Sequence, residues 1–277
     1  MDQQILIEEA NYKEIQLIKR LKSFNKILVA FSGGVDSTYL LAVARETLKE
    51  NCKAVFARGP MISFQEEKEV LAMVQQFDFP VEVIESDILN LKGFRENTPD
   101  RCYHCKKKLF ETFLDYSKRS GYSTVIEGTN ASDIDDYRPG RRALQELSII
   151  SPLLEVGLTK SEIRVLSKRR HLPTWNKPSM ACLASRVPFG DTITAELLNR
   201  IADAEAILHQ KGYQECRVRA HNDIARIEIP LANFSTFLQH RQEVTASMLS
   251  LGFRFVTLDL MGLRSGSLNP IQQEGIV

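Results

Sequence analysis

Residues 26–38 read KILVAFSGGVDST, and this stretch decides the fold. Its apolar run, Ile27–Phe31, predicts a buried strand. The strand ends in SGGVDS at residues 32–37, and a helical pattern follows from Thr38. Glycines permit a tight turn that brings backbone N–H groups up to a ligand, and the helix start adds the positive end of its dipole. We therefore predict an anion site, at which Asp36 can hold Mg²⁺ bridged to phosphate oxygens.

Two common phosphate-binding motifs do not fit this loop. The Walker pattern, G-x-x-x-x-G-K followed by Ser or Thr, needs a lysine, and the dinucleotide pattern needs G-x-G-x-x-G. Residues 32–37 instead match SGGxDS, and the loop resembles that of the PP-loop ATP pyrophosphatases. An ordinary tight turn is the alternative. Six residues that match in type, between a strand and a helix, favour the phosphate loop.

The composition indicates a globular protein. The chain has 277 residues, of which 43% are hydrophobic and 26% charged, with a net charge of +1. This near-neutral charge counts against nucleic acid as a partner. The first residues, MDQQILIEEA, lack the pattern of a signal peptide, and no apolar run approaches a membrane span. We expect a cytoplasmic protein without a membrane partner, whose five cysteines do not form structural disulfides.

The remaining pattern predicts an α/β protein with a doubly wound, mostly parallel sheet. Further strands are expected at residues 53–57, 81–84, 124–127 and 148–151. Helical stretches separate them, which is typical of parallel sheets that bind ligands at the carboxyl ends of their strands. Thr159 and Glu162 form a capping box that opens a later helix. The composition changes after Gly190, and we expect a PP-loop domain over residues 1–190 and a smaller α+β domain over 191–277.

Three cysteines lie in or beside predicted functional loops. Cys102 and Cys105 form a C-x-x-C pair, and Cys182 lies in a long loop at residues 172–190. Structural zinc needs four ligands, and the sequence has no second C-x-x-C or spaced histidine pair, while His104 is awkwardly placed inside the turn. Three thiolates suit a [4Fe–4S] cluster with one iron open to a sulfide. A redox pair, or cysteines that merely cap a turn, remain the alternatives.

Five motifs, in order, resemble the LarE family: SGGVDST, EGTNASDIDDYRPG, NKPSMACLASR, RVRAHNDIARIEIP and FRFVTLDLMGLRSG. The resemblance covers nearly the whole chain. It implies an enzyme that uses ATP to adenylate a carboxylate of pyridinium-3,5-biscarboxylic acid mononucleotide, with release of pyrophosphate. A sulfur then replaces the AMP, as a step in the synthesis of the nickel-pincer nucleotide cofactor of lactate racemase.

The resemblance also implies roles for individual residues. The residues implied to bind pyrophosphate and Mg²⁺ are Ser32, Gly33, Gly34, Asp36 and Ser37. The residues implied to lie near the AMP are Ala30, Gly128 and Thr129. Those implied to bind the substrate phosphate where subunits meet are Arg217, Arg219 and Arg264. Asp36, Cys182, Ser185 and Arg186 are implied to act in catalysis. Family members form hexamers, so the resemblance also implies a homo-oligomer.

One position departs from the family pattern. In members that sacrifice their own cysteine sulfur, the donor lies five residues before the arginine of the Ser-Arg pair. Ala181 occupies that position here, and Cys182 follows it. Those members also lack the C-x-x-C pair. The chain therefore resembles the branch in which three cysteines, here Cys102, Cys105 and Cys182, hold a [4Fe–4S] cluster that carries an extra sulfide.

Three other functions are compatible with parts of the sequence. An amide ligase like NAD synthase would use the phosphate loop with ammonia but would leave the cysteines idle. A tRNA thiolase would use both the loop and the cysteines, but the net charge of +1 disfavours it. A nucleotide sensor without catalysis would not need the intact Asp36 and Ser37.

Overall fold

The computed structural model describes residues 3–133, 139–178, 182–264 and 268. The chain divides into two compact units. The first consists of residues 1–59, 66–91 and 100–180, and the second of residues 60–65, 92–99 and 181–277. The domain boundary expected after residue 190 stays a prediction. No helix within the described ranges is long and apolar enough to cross a membrane.

The first unit is built on a four-stranded parallel sheet. Its strands are β1 (Ile27–Phe31), β2 (Cys52–Arg58), β3 (Val81–Glu85) and β4 (Thr124–Ile126), in the spatial order β3-β2-β1-β4. This arrangement confirms the predicted α/β class with a parallel sheet. The strand expected at residues 148–151 is reduced to one parallel bridge between Ile126 and Ile150. Ser148 has a φ of 53°, which is incompatible with an extended strand.

Helices connect the strands and cover the sheet. They are α1 (Gln3–Lys22), α2 (Val35–Leu48), α3 (Phe64–Gln76), α5 (Arg101–Arg119), α6 (Pro139–Glu146), α7 (Pro152–Glu155) and α8 (Lys160–Arg169). The short helix α4 (Lys92–Arg95) belongs to the second unit. Phe110 and Phe113 of α5 and Leu144 of α6 pack with Leu28 and Val125 of the sheet in one apolar cluster. Helices α1 and α8 pack against α2. The sheet thus lies in a hydrophobic core built by its connecting helices.

The strand order creates a topological switch point beside β1. From β1 the chain proceeds outward to β2 and β3, and then returns to place β4 on the other side of β1. At such a point the loops after the two central strands separate in opposite directions and leave a crevice at their carboxyl ends. The loop at residues 32–34 follows β1, and the loop at 127–130 follows β4. The phosphate-binding loop predicted from sequence therefore lies where this fold binds ligands.

Buried acids fix the helices around α2. The capping box of α8 is confirmed: Glu162 Oε2 accepts from Thr159 N at 2.7 Å, and Thr159 Oγ1 accepts from Glu162 N at 3.4 Å. Glu162 is 1% exposed and also accepts from Lys13 of α1 at 2.6 Å. Glu14 of α1 accepts from Tyr39 of α2 at 3.0 Å. Hydrogen bonds to buried carboxylates therefore join the middle of α1 to the start of α8 and to α2, in addition to the packing between these helices.

The second unit contains a three-stranded mixed sheet. Strand β5 (Arg217–His221) pairs antiparallel with β6 (Ile224–Glu228), which pairs in parallel with β7 (Phe255–Leu258). Its larger helices are α9 (Ala195–Gln210), α10 (Phe234–Gln239) and α11 (Arg241–Ser250). These elements agree with the α+β class expected of the residues after Gly190.

Replacement of Gly33 by Ala should destabilise the protein more than the same change at Gly157. Both glycines have a φ near +70°, a conformation that costs other residues roughly 1–2 kcal/mol. An added Cβ at Gly33 would lie 2.2 Å from Val70 Cγ2, whereas nothing lies within 4 Å at Gly157. We expect the clash to cost a further ~1–3 kcal/mol in the free energy of unfolding, measured by urea denaturation. Equal losses for the two variants would contradict the close packing of the loop on α3.

Candidate functional site

The loop after β1 presents backbone donors that no side chain caps. Gly34 is the N-cap residue of α2, with φ −81° and ψ 168°, and as a glycine it provides no side-chain cap. Its N donates to Ser32 Oγ at 3.5 Å, and its carbonyl accepts from Ser37 Oγ at 3.3 Å. The hydroxyls of Ser32 and Ser37 lie 3.0 Å apart, and Ser37 Oγ accepts from Ser32 N at 3.2 Å. The first N–H groups of a helix have no partner within the helix. The loop is therefore suited to an anion bound by backbone donors and two hydroxyls.

The loop after β4 closes on the same helix end. An added Cβ at Gly128 would lie 3.0 Å from Ser37 N, so glycine allows the two backbone segments to approach. The buried carboxylate of Glu127 accepts from Thr129 N at 3.0 Å, from Thr129 Oγ1 at 2.8 Å and from Ser151 Oγ. Ala30, half-buried in β1, precedes the phosphate loop. The structure thus brings the predicted nucleotide-binding residues of the first unit together.

Asp36 lies in the first turn of α2 and forms an ion pair with Lys160. Asp36 Oδ2 is 2.6 Å from Lys160 Nζ, while Asp36 Oδ1 is buried and has no hydrogen-bond partner among the described residues. Burial raises the pKa of the Asp36 carboxyl above its usual value, and the hydrogen bond and charge of Lys160 oppose this rise. A buried oxygen without a donor suits a cation, so the residue fits a Mg²⁺ ligand.

Lys160 was not among the residues predicted from sequence. It is the first residue of α8, and its backbone N donates to Ser132 Oγ at 3.0 Å. A cation in the first turn of a helix opposes the helix dipole. The position of Lys160 directly after the Thr159 cap therefore indicated that its side chain pairs with an anionic group. The structure supplies that partner as Asp36 and places a positive charge beside the phosphate loop.

Cys102 and Cys105 lie on the first turns of α5. The helix begins at Arg101, so the C-x-x-C pair is helical and its two cysteines share one face. Cys102 is exposed and Cys105 is half-buried. Tyr103, between them, donates to Glu146 of α6 at 2.7 Å, and its ring lies under the Arg142 guanidinium at 3.9 Å. Contacts with α6 therefore fix the orientation of the cysteine-bearing turn.

Cys182 belongs to the second unit, where it is exposed at the start of a single helical turn. Arg186, which was expected to act in catalysis, is buried in that turn. Its Nε donates to Glu205 Oε1 at 2.9 Å and its Nη2 to Glu205 Oε2 at 3.1 Å. Its Nη1 lies 3.3 Å from the Cys182 carbonyl and 3.1 Å from Ser185 Oγ. The guanidinium therefore holds the segment that carries both Cys182 and Ser185.

The arginines of β5 share one face of the small sheet. Arg219 is 3% exposed and donates to the Ser185 carbonyl at 2.7 Å and to Glu228 at 2.9 Å, while its buried Nε has no partner within the described ranges. Burial lowers the pKa of Arg217, and the charges of Arg186 and Arg219 add to this effect. An unsatisfied guanidinium nitrogen among like charges favours an anionic ligand. The third predicted residue, Arg264, is 3.4 Å from Asp259.

Glu205 is a second residue that the sequence analysis missed. Leu198, Ile201 and Leu208 form the buried stripe of α9, and Glu205 occupies the remaining position of the same stripe. An acid at a core position of an amphipathic helix indicates a buried partner. The interruption of the apolar pattern by Glu205 was the available signal for a buried ion pair. Its partner in that pair is Arg186.

The three-cysteine cluster stays a prediction. Cys102 and Cys105 belong to the first unit and Cys182 to the second. Within the described ranges, no group of three or more His, Cys, Asp or Glu side chains is arranged to hold a metal ion. Ala181, which replaces the sacrificial cysteine, lies outside the described residues.

Comparisons with known proteins identify relatives along almost the whole chain. It is 36% identical to the pyridinium-3,5-bisthiocarboxylic acid mononucleotide synthase of Lactiplantibacillus plantarum, over 93% of this chain and 94% of that protein. It is 38% identical to an uncharacterised protein of Synechocystis sp., over 89% and 93% of the two chains. A glutamine-hydrolysing GMP synthase of Helicobacter acinonychis is 27% identical over 56% of this chain and 34% of its own. No protein-family model matches the chain.

Replacement of Asp36 by Asn should stabilise the free protein at neutral pH. The pKa of the Asp36 carboxyl is higher in the folded protein than in the unfolded chain, where it is about 3.9. The free energy of unfolding therefore falls as the pH rises from the unfolded-state pKa to the folded-state pKa. Asn removes that loss, so the free energy of unfolding at pH 7 should increase. The difference should vanish below about pH 3, where the carboxyl is protonated in both states.

Urea denaturation across this pH range measures the effect. The matched control is Asp115→Asn, at an exposed position of α5, which should leave stability unchanged. A lower stability of the Asp36 variant at pH 7 would show that the ion pair with Lys160 outweighs desolvation.

Proposed function

Because this chain belongs to the LarE family of PP-loop, ATP-utilising enzymes, we propose that it inserts sulfur into a carboxylated nucleotide during synthesis of the nickel-pincer cofactor. The observation that carries this proposal is the similarity to a pyridinium-3,5-bisthiocarboxylic acid mononucleotide synthase over 93% of the chain. The substrate proposed from it is pyridinium-3,5-biscarboxylic acid mononucleotide. The geometry of the phosphate loop supports the ATP-dependent half of the reaction.

The first unit would activate the substrate. A substrate carboxylate oxygen bonds to the α-phosphorus of ATP, and the bond from that phosphorus to pyrophosphate breaks. The uncapped N–H groups of α2, with Ser32 and Ser37, would hold the pyrophosphate, and Lys160 would add a positive charge beside it. Mg²⁺ bound at Asp36 would stabilise the charge on this leaving group. Ala30, Gly128 and Thr129 would lie beside the AMP portion.

The second unit would bind the phosphate of the nucleotide substrate. We assign this role to Arg217, Arg219 and Arg264. Two observations support the assignment: Arg219 Nε is buried and has no partner among the described residues, and burial together with the charges of Arg186 and Arg219 lowers the pKa of Arg217. Guanidinium groups bind phosphate through paired N–H donors, and an added anion would relieve the repulsion between the arginines.

Sulfur would then replace AMP. A hydrosulfide equivalent forms a bond to the carboxyl carbon, and AMP leaves with the electron pair of the carbon–oxygen bond. We propose that Cys102, Cys105 and Cys182 hold a [4Fe–4S] cluster, which supplies a bound sulfide. The shared helical face of Cys102 and Cys105 and the exposure of Cys182 support this source, as does alanine at position 181. Ser185 would line the same reaction site.

We also propose a homo-oligomer, with the hexamer as the expected state. Exposed apolar side chains in the second unit support it: Leu231 is 63% exposed, Leu260 81% and Met261 67%. Apolar groups in such numbers at neighbouring positions are typical of surfaces covered by another chain. A monomeric mass in light scattering would contradict it.

An amide ligase is the second candidate, because the chain is also similar to a glutamine-hydrolysing GMP synthase over 56% of its length. Both reactions begin with adenylation and differ in the nucleophile. The products therefore separate the candidates.

Incubation of the protein with ATP, Mg²⁺, sulfide and the proposed mononucleotide should release AMP and pyrophosphate and yield a thiocarboxylate. Mass spectrometry measures the replacement of oxygen by sulfur. Ammonium in place of sulfide should give no amide. An amide product, or AMP release without a thiocarboxylate under any sulfide supply, would favour the ligase.

The Lys160→Met variant should lose at least tenfold in pyrophosphate release, as expected for a lost electrostatic contact, whereas Lys26→Met should not.

Anaerobic reconstitution with iron and sulfide should give a brown protein with about four irons per chain. The Cys182→Ser variant should lose this colour, since it removes one of three ligands, and should keep pyrophosphate release. Cys216→Ser is the matched control, because Cys216 is buried in the same unit and should not affect iron content. A colourless wild-type protein would rule out the cluster.

A further inference from the structure

One buried carboxylate joins the arginine strand to the turn that carries Cys182. Glu205 Oε1 accepts from Val218 N at 3.0 Å, and Val218 is the residue between Arg217 and Arg219. The same oxygen accepts from Arg186 Nε at 2.9 Å. The side chains of Arg186 and Glu205 are 8% and 9% exposed, respectively. Glu205 therefore accepts hydrogen bonds both from strand β5 and from Arg186. Arg186 is the last residue of the helical turn that Cys182 begins, residues 182–186, which we call the cysteine turn.

The cysteine turn is held at its backbone. Arg186 Nη1 donates to the Cys182 carbonyl at 3.3 Å, and Arg219 Nη1 donates to the Ser185 carbonyl at 2.7 Å. Leu183 N donates to the Met61 carbonyl at 3.1 Å. These contacts leave residues 182–186 little freedom to shift without disturbing one of the arginines. The exposed residue Cys182 therefore lies in a segment whose backbone is held by two buried arginines, Arg186 and Arg219.

Arg219 connects this segment to a buried donor that has no acceptor among the residues that the structure describes. The side chain is 3% exposed, its Nε is that donor, and its two terminal nitrogens bind Ser185 and Glu228. An anion that reached this nitrogen would compete for the same guanidinium that holds Ser185. Contacts within one packed hydrogen-bonded network carry coupling energy from one end to the other.

We propose that Glu205 is a positioning residue that fixes Cys182 through Arg186, and that anion binding at the β5 arginines changes the reactivity of Cys182. This inference rests on the proposed function for its biological meaning, since it would couple the arrival of a phosphate-bearing substrate to the residue placed at the sulfur-transfer step. The coupling itself belongs to the second unit and does not require ATP or a cluster.

The test measures alkylation of Cys182. The background is Cys102→Ser with Cys105→Ser, since Cys52 and Cys216 are buried and Cys182 is then the exposed cysteine. The rate of modification by iodoacetamide is followed by intact mass, with and without inorganic phosphate. We expect phosphate to change the rate in the background protein. Glu205→Gln should change the rate roughly tenfold without phosphate and should abolish the phosphate response.

Glutamine at position 205 keeps an acceptor for Val218 N but removes the charge that holds Arg186. Glu243→Gln is the matched control, because Glu243 pairs with Lys211 at the surface of the same unit. It should alkylate like the background protein and keep the phosphate response. If Glu205→Gln does not fold, Arg186→Lys tests the same contact, since lysine keeps the charge but cannot bond both Glu205 oxygens and Cys182 together.

Two results would overturn the inference: an unchanged alkylation rate in the folded Glu205 or Arg186 variant, or no effect of phosphate on the background protein. Failure of the proposed function gives a different pattern. In that case the wild-type protein would form no thiocarboxylate, while Cys182 would still respond to phosphate and to Glu205→Gln.

Discussion

The N-terminus of α2 is approached by two backbone segments that have room only for glycine. Gly33 turns at a φ of 72° against Val70, and Gly128 comes so near Ser37 that a Cβ would lie 3.0 Å from its N atom. The absence of a Cβ at both positions lets the loops after β1 and β4 meet at the start of α2, at the switch point of the sheet. The position proposed for ATP depends on this close approach.

Buried carboxylates organise the structure around these loops. Glu127 orders the Gly128 loop, Glu162 begins α8, and Glu205 and Glu228 hold arginines in the second unit. Each is supplied with donors, as a buried charge requires. Asp36 differs, since its Oδ1 is buried and has no hydrogen-bond partner in the described part of the chain. This difference between Asp36 and the other buried acids is what supports its proposed role as a Mg²⁺ ligand.

The proposed chemistry divides between the two units. The first contains the groups proposed to act on ATP, which are the phosphate loop, Asp36 and Lys160. The second contains the arginine face of β5 and the turn of Cys182, joined through Glu205. Arg186 and Arg219 both hold the backbone of the turn that carries Cys182, Arg186 through the Cys182 carbonyl and Arg219 through the Ser185 carbonyl. They differ in their acidic partners, which are Glu205 for Arg186 and Glu228 for Arg219.

The sequence by itself determined the local features. Apolar runs, glycines and the capping box depend on residues a few positions apart, so they predicted the strand–loop–helix unit, the parallel α/β class and the start of α8. Pairings between distant residues were decided by the tertiary structure. Asp36 and Lys160 are 124 positions apart, and Arg186 and Glu205 are 19 apart. A local pattern can show that a residue such as Glu205 is a buried acid, but it does not identify the partner, because such pairs form only when the packing of helices and strands closes the chain between them. The partner of each charge was therefore fixed by the fold.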